Sequence, residues 1–205
     1  IRRLYCKFSK IYNMEKPKFD DLVNYLKSLT DKISAIQSKS KTINLYFDSL
    51  DKKYRYIDKC GFEVLRMTEE KTEKLFGTRK PVIELIHIEP SENARTIKPH
   101  VHKHAMVVQT ILGTQHGFPK PDGVVISGFN IPNVKAKLQP AQLIAGFNLY
   151  FNPGIIHGFS VNKETWILGV HFPSIDDLND FQSIENYEIV DGEDELSKSL
   201  ISRYL

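Results

Sequence analysis

At 205 residues, with 41% hydrophobic and 26% charged positions, the chain can bury one sizeable core and has no apolar run long enough to span a bilayer. Its formal charge of +3 is too small to suggest the concentrated basic face that nucleic-acid binding uses. That charge divides unevenly: residues 175–205 carry nine Asp/Glu against Lys198 and Arg203, a local −7, which leaves +10 on residues 1–174. The pattern reads as a solvated acidic tail beside a mildly basic body. Cys6 and Cys60 form neither a disulfide framework nor a C-x-x-C zinc pattern, which suits a reducing cytosol. IRRLYCKFSKIYN lacks the apolar run and cleavage site of a secretory signal, so a cytoplasmic protein with neither membrane nor nucleic-acid partners is expected.

From Phe19 to Gln37, residues Phe19, Leu22, Val23, Leu26, Leu29, Ile33 and Ile36 fall at steps of three and four, which predicts an amphipathic helix. Pro17 fits its first turn, and Asp20 and Asp21 suit the positive end of its dipole. From Thr42 onward the chain breaks into short β-branched and aromatic runs: INLYF, YRYI, FEVLRM, VIELIHI, HAMVVQTIL, VVISGF, VKAKL, LIAGFNLYF, IIHGFSV and TWILGVHF. PKPDG, NIPN and NPG supply turns between them. Many short strands without intervening helices predict a sandwich or barrel, and the lack of an internal repeat predicts one barrel. IDDLNDF and DELSKSLISRYL have helical spacing and predict short helices packed outside it. The expected organisation is a helical extension (1–41), a β-barrel (42–174) and an acidic helical tail (175–205).

Seven histidines stand at 87, 100, 102, 104, 116, 157 and 171, three of them within KPHVHKHAM. In an extended strand alternate residues share a face, so His100 and His102 can aim both imidazoles at one divalent ion, at bond lengths of roughly 2.0–2.1 Å. Downstream, GFNLYFNPGIIHGFSVN contains Gly146, a Pro153–Gly154 turn, His157 and Asn162. The two segments together resemble the paired motifs of the cupin superfamily. The first is an H-x-H followed by an acid and a glycine, and the second is a glycine, a Pro/Gly turn, a histidine and an asparagine. His100, His102 and Gly113 match the first motif, with Met106 at the acid's place. Gly146, Pro153, Gly154, His157 and Asn162 match the second with one-residue shifts. The resemblance covers roughly residues 80–173.

It implies a mainly β fold: a single cupin jelly-roll barrel with an N-terminal helical extension and short C-terminal helices. It also implies a divalent metal ion held by His100, His102 and His157, with iron first and zinc, nickel or manganese as alternatives. With Met106 in place of the acid, three neutral imidazoles leave the ion its double charge and an open position, which favours a small anionic or chelating molecule. Three-histidine cupins include thiol dioxygenases, so the resemblance implies a small-molecule dioxygenase or related oxidoreductase. A non-catalytic ligand-binding cupin with a structural or sensory role is the alternative, and a metal-free structural barrel a third reading.

His171, His116 and Tyr150 are candidate catalytic residues that could orient substrate or manage a proton near neutral pH, and each also suits a plain structural role at a rim or in the core. His104 shares strand parity with the H-x-H pair and is a candidate fourth ligand, while Met106 also reads as a gap-filling core residue. His87-Ile88-Glu89 is a rival H-x-E pair for a two-histidine, one-carboxylate site. The Phe19–Gln37 helix suits either a homodimer element or a lid.

Overall fold

The computed structural model describes residues 19–58, 61–77, 81–89, 95–103, 105–172 and 181–190. Helix α1 (Phe19–Ile36) forms as its periodicity predicts. Leu22, Leu26, Leu29 and Ile33 make its apolar stripe, each at most 1% exposed, and pack with Ile83, Leu85, Val108, Leu168 and Val170. Burial of such side chains contributes about 1.5–3 kcal/mol each, so the helix is anchored to the body of the fold.

Two further helices depart from the expected strand-only pattern. INLYF lies in helix α2 (Lys39–Tyr46) and its C-cap Phe47, and is not a strand. Ser38 caps α2 by accepting from the Lys41 N–H, and Thr42, Ile43, Tyr46 and Phe47 turn one helical face to the core. Helix α3 (Glu69–Phe76) follows Thr68, whose side chain accepts from the Lys71 N–H, and ends at Gly77, whose positive φ of 80° glycine tolerates. The helical extension therefore runs to Tyr46, beyond the expected limit at residue 41.

The described residues contain twelve strands: β1 (Arg55–Ile57), β2 (Glu63–Arg66), β3 (Val82–Ile88), β4 (Arg95–His102), β5 (Met106–Ile111), β6 (Gly123–Phe129), β7 (Ala136–Gln142), β8 (Asn148–Phe151), β9 (Ile155–Val161), β10 (Thr165–Phe172), β11 (Phe181–Ser183) and β12 (Tyr187–Ile189). They form two sheets, in the orders β1-β2-β3-β10-β5-β8 (sheet A) and β11-β4-β9-β6-β7-β12 (sheet B). From β3 to β10 the chain changes sheet at every step except β6 to β7, and all these pairings are antiparallel. This interleaving is the jelly roll of the cupin type.

The inner faces of both sheets meet in one cluster that includes Ile88, Val107, Ile111, Val125, Phe151, Phe159 and Ile167. The outer face of sheet A is apolar as well, because α1 covers it. On the outer face of sheet B, Val101, Ile126, Ala136, Leu138 and Ile156 pack with Tyr187 and Ile189. The described part of the acidic tail thus consists of strands rather than helices, with β12 added in parallel to β7. DELSKSLISRYL, and IDDLNDF up to residue 180, lie outside the described residues. No helix among the described residues is long and apolar enough to cross a membrane.

Candidate metal centre

The site begins with a break in strand register. Ile97 pairs with Phe159 and His100 pairs with His157, so Lys98 and Pro99 together oppose the single residue Gly158. This is a β-bulge, and Pro99, which has no N–H to give the ladder, is compatible with it. Ile97 faces the interior; in an unbroken strand residues 99 and 101 would follow it inward, and both histidines would point out. The extra residue reverses that parity. Val101 joins the outer cluster, and His100 and His102 face the barrel interior. Gly158 makes the bulge possible, since a Cβ there would stand 2.7 Å from the Ile97 carbonyl oxygen and 3.2 Å from Pro99 N.

The bulge also orients a ring. The Nδ1–H of His100 donates to the Lys98 carbonyl at 3.0 Å, and that of His157 donates to the Ile155 carbonyl at 3.3 Å. A carbonyl only accepts, so each Nδ1 carries the proton and each Nε2 keeps the lone pair that a metal would take. The backbone N–H of Gly154, in the Pro153–Gly154 turn, donates to the His102 carbonyl at 3.1 Å, which ties the second motif to the first. Ring centroids lie 4.2 Å apart for His100 and His157 and 5.3 Å apart for the other two pairs, and Phe151 stacks on His157 at 3.9 Å.

One nitrogen from each of His100, His102 and His157 lies within 4.8 Å of the others. Two nitrogens bound to one ion at about 2.1 Å are separated by at most about 4.2 Å, so small ring movements bring all three to a common centre. Burial lowers the His100 pKa to about 4, against the raising effect of the Lys98 carbonyl, and His102 and His171 lower it further. Burial, followed by the neighbouring imidazoles of His100 and His102, pushes His157 well below the ordinary histidine range. Uncharged, tautomer-fixed imidazoles are the form that binds a metal. The residues present therefore fit a divalent ion.

The opposite wall is polar in a way the sequence reading did not anticipate. Glu84 of β3 has the inward parity of Ile86 and Ile88 and is buried. Its Oε1 accepts from Tyr56 OH at 3.0 Å and from Arg66 Nε and Nη2 at 3.0 and 2.9 Å. Burial alone would raise the Glu84 pKa, but His171 and Arg66 outweigh it and hold the carboxylate at about 2. Its other oxygen, Oε2, lies 3.2 Å from His171 Nε2. His171 reaches the triad, its ring 6.0 Å from that of His102, and neither ring nitrogen has a hydrogen-bond partner of good geometry among the described residues, so the Glu84 contact is a close electrostatic approach. Gln109 of β5 is buried on the same inner wall, and its Oε1 likewise has no partner there. Gly169 leaves room for both side chains, because a Cβ at that position would meet His171 Nε2 at 3.1 Å and Gln109 Cγ at 3.8 Å. The signal for Glu84 was a lone acid at an inward position of the apolar run VIELIHI.

The other candidates lie elsewhere. His116 closes a single 3-10 turn (Thr114–His116), and its Nδ1 accepts from the Gly113 N–H at 3.2 Å. It follows the far end of β5, which is about 14 Å along the strand from Val107, whose cross-strand partners are His171 and Phe151. Tyr150 pairs with Val108, which faces α1, so it occupies the outer face of sheet A, 41% exposed and turned away from the triad. Met106 also packs with the outer cluster. The inward residue beside it is Val107, so β5 offers no acid next to the triad with either residue at the acid's place. His104 lies outside the described residues. The rival His87 faces outward, stacked on Trp166 at 3.9 Å, with Nδ1 3.1 Å from Glu63 Oε2 and Nε2 3.3 Å from Glu164 Oε1. Among the described residues, only His100, His102 and His157 form a group of three converging ligands.

No family model and no curated protein matches the sequence. Solved structures do resemble the fold. The capsular polysaccharide assembling protein CapF from Staphylococcus aureus aligns with a TM-score of 0.46 and 12% identity, over 64% of this chain and 32% of its own. An oxalate decarboxylase variant from B. subtilis aligns with a TM-score of 0.45 and 15% identity, over 68% and 32%. An uncharacterized conserved protein with a double-stranded β-helix domain from Klebsiella pneumoniae aligns with a TM-score of 0.39 and 18% identity, over 65% and 92%. The chain thus spans about a third of the first two (32% of each). Likeness at this level transfers no activity or substrate. The jelly-roll fold is seen in the strand order of this chain itself, and its candidate site in the bulge and the histidine triad.

Proposed function

We propose that this protein is a metal-dependent oxidoreductase of cupin type that acts on a small anionic molecule in the cytoplasm, with His100, His102 and His157 holding iron. The observation that carries the reading is the pair of Nδ1–H bonds to backbone carbonyls, which leaves ring lone pairs converging in a buried site. When bound there, the ion supplies Lewis acidity and one-electron redox chemistry to a coordinated substrate. Three neutral ligands leave its charge uncompensated, which favours an anionic partner. Val107, Phe151 and Phe159 form apolar walls that limit water. On the other side His171 is the group placed to accept or return a proton, with the Glu84 carboxylate 3.2 Å from its Nε2 and Arg66 and Tyr56 fixing Glu84.

The test is oxygen consumption by iron-loaded protein in the presence of small thiols, enediols and chelating carboxylates. Turnover with at least one class, reduced about tenfold or more in His171→Ala, is the expected result. Thermal stabilisation by these compounds without product would replace the enzyme with a non-catalytic binding protein. Neither stabilisation nor turnover across the panel would sink both readings.

A further inference from the structure

The inner face of sheet B continues beyond the triad. Ser127 of β6 is the cross-strand partner of His157, and Gln139 of β7 is in turn the partner of Ser127. One row along, Ile155 pairs with Phe129, and Lys137 pairs with Glu188 of β12. All share the inward face, because the residues between them, Ile126, Leu138, Ile156 and Ile189, belong to the outer cluster. Adjacent strands are ~4.8 Å apart, so Gln139 stands about 10 Å from His157 across the sheet. Ser127, Phe129, Lys137, Gln139, Ile155 and Glu188 line one open pocket of about 700 Å³ that also takes in Ile189 and Val190 at the edge strand, and the triad lies next to this lining rather than in it. The pocket therefore starts one strand away from a triad residue.

Its chemistry changes along its length. Beside the triad, beyond the pocket's own lining, His171 Nδ1 and Gln109 Oε1 are buried on the opposite wall without hydrogen-bond partners among the described residues, a condition that water or a ligand would relieve. In the middle, Ile155 and Phe129 present apolar surface, and Phe129 is 70% exposed although it stands on a concave inner face. At the far end, Lys135 and Lys137 approach Glu188 at 3.2 and 3.7 Å, two cations against one carboxylate. A two-carbon acid would fill a small part of this volume.

We infer that the substrate is an elongated organic acid. Its anionic head lies at the triad within reach of His171 and Gln109, its apolar or aromatic body lies against Ile155 and Phe129, and its far end carries an acceptor or second anion for Lys137 and Gln139. This identification of the substrate class rests on the metal centre proposed above.

Cobalt(II)-loaded protein titrated with acetate, 3-phenylpropionate and 3-(4-carboxyphenyl)propionate tests it, with visible cobalt bands and calorimetry as readouts. 3-Phenylpropionate is expected to bind about tenfold tighter than acetate or better, from burial of the ring, and the second carboxylate should add about a further threefold. Phe129→Ser should bring the phenylpropionate-to-acetate ratio close to one, and Lys137→Glu should remove the gain from the second carboxylate. Both side chains are largely exposed, at 70% and 76%, so the variants keep the fold. Cobalt bands that respond to acetate with no preference for the longer acids, or a preference that survives both substitutions, would overturn the inference and leave the metal centre standing. Failure to bind cobalt at all would overturn both.

Discussion

His87 and His157 are both buried and both stacked on an aromatic ring at 3.9 Å, Trp166 for the first and Phe151 for the second, yet the two regions around them differ in kind. On the outer face of sheet A, both nitrogens of His87 lie within 3.3 Å of carboxylates, Glu63 and Glu164, which are themselves paired with Arg55 and Lys39. On the inner face of sheet B, His157 gives Nδ1 to a backbone carbonyl, and one of its ring nitrogens lies within 4.8 Å of nitrogens of His100 and His102. Stacking and burial do not make a histidine a ligand. The partner of its Nδ1 decides whether it is available as one, because a carbonyl uses one nitrogen and fixes the tautomer, whereas His87 has a carboxylate within 3.3 Å of each nitrogen.

The two regions can be broken separately. The largest effect is expected on the outer side: Leu26→Ala removes a fully buried side chain between α1 and sheet A, and should cost about 2–5 kcal/mol in urea unfolding while folded protein keeps its full metal content. Loss of metal from that folded variant would show that the two faces are not independent.

Glu84 links the regions, since it stands on the same strand as His87 but faces inward. Its carboxylate is held at about 2 against an ordinary 4.5, so its stabilisation is fully present above pH 4.5 and is lost as the pH falls toward 2. Glu84→Gln should therefore lower stability at pH 6, by an amount on the order of 3 kcal/mol. The wild type should lose more stability than the variant between pH 5 and pH 3. Equal pH slopes in urea unfolding would contradict the Glu84, His171 and Arg66 arrangement.

The smallest effect on stability should carry a marked effect on the site. Gly158→Ala pushes a methyl against the Ile97 carbonyl and should cost about 1–3 kcal/mol. Because the same bulge turns His100 and His102 inward, metal affinity should fall about tenfold or more. An alanine variant with wild-type affinity would mean that the bulge does not set the ligands.

How much of this was legible follows from which signals are local. The α1 stripe and the strands VIELIHI, IIHGFSV and TWILGVHF are long enough for their pattern to be decisive, and their residues form the elements expected. INLYF misled because β-branched and aromatic residues favour strands, whereas the Ser38 cap and packing beneath α1 select a helix. The α3 signal was present in Thr68 and Gly77 but was masked by the charged run between them. His100, His102 and His157 could be picked out by motif. Their inward direction could not, because it depends on a bulge that is set by Lys98 and Pro99 on one strand and Gly158 on another. The faces taken by Met106 and Tyr150 are hidden for the same reason, since parity counted along a strand says nothing of which face the sheet buries. Glu84, Arg66 and Tyr56 converge from three consecutive strands, a relation that depends on strand register and that no local pattern carries.

Of these two buried, ring-stacked histidines, only His157 is placed to hold a metal. Metal content per chain, measured by native mass spectrometry after iron(II) or zinc loading of the wild type, His157→Ala and His87→Ala, tests it most directly. The account predicts one ion per chain in the wild type and in His87→Ala, and none retained in His157→Ala. Retention of the ion by folded His157→Ala, or its loss from folded His87→Ala, would contradict it.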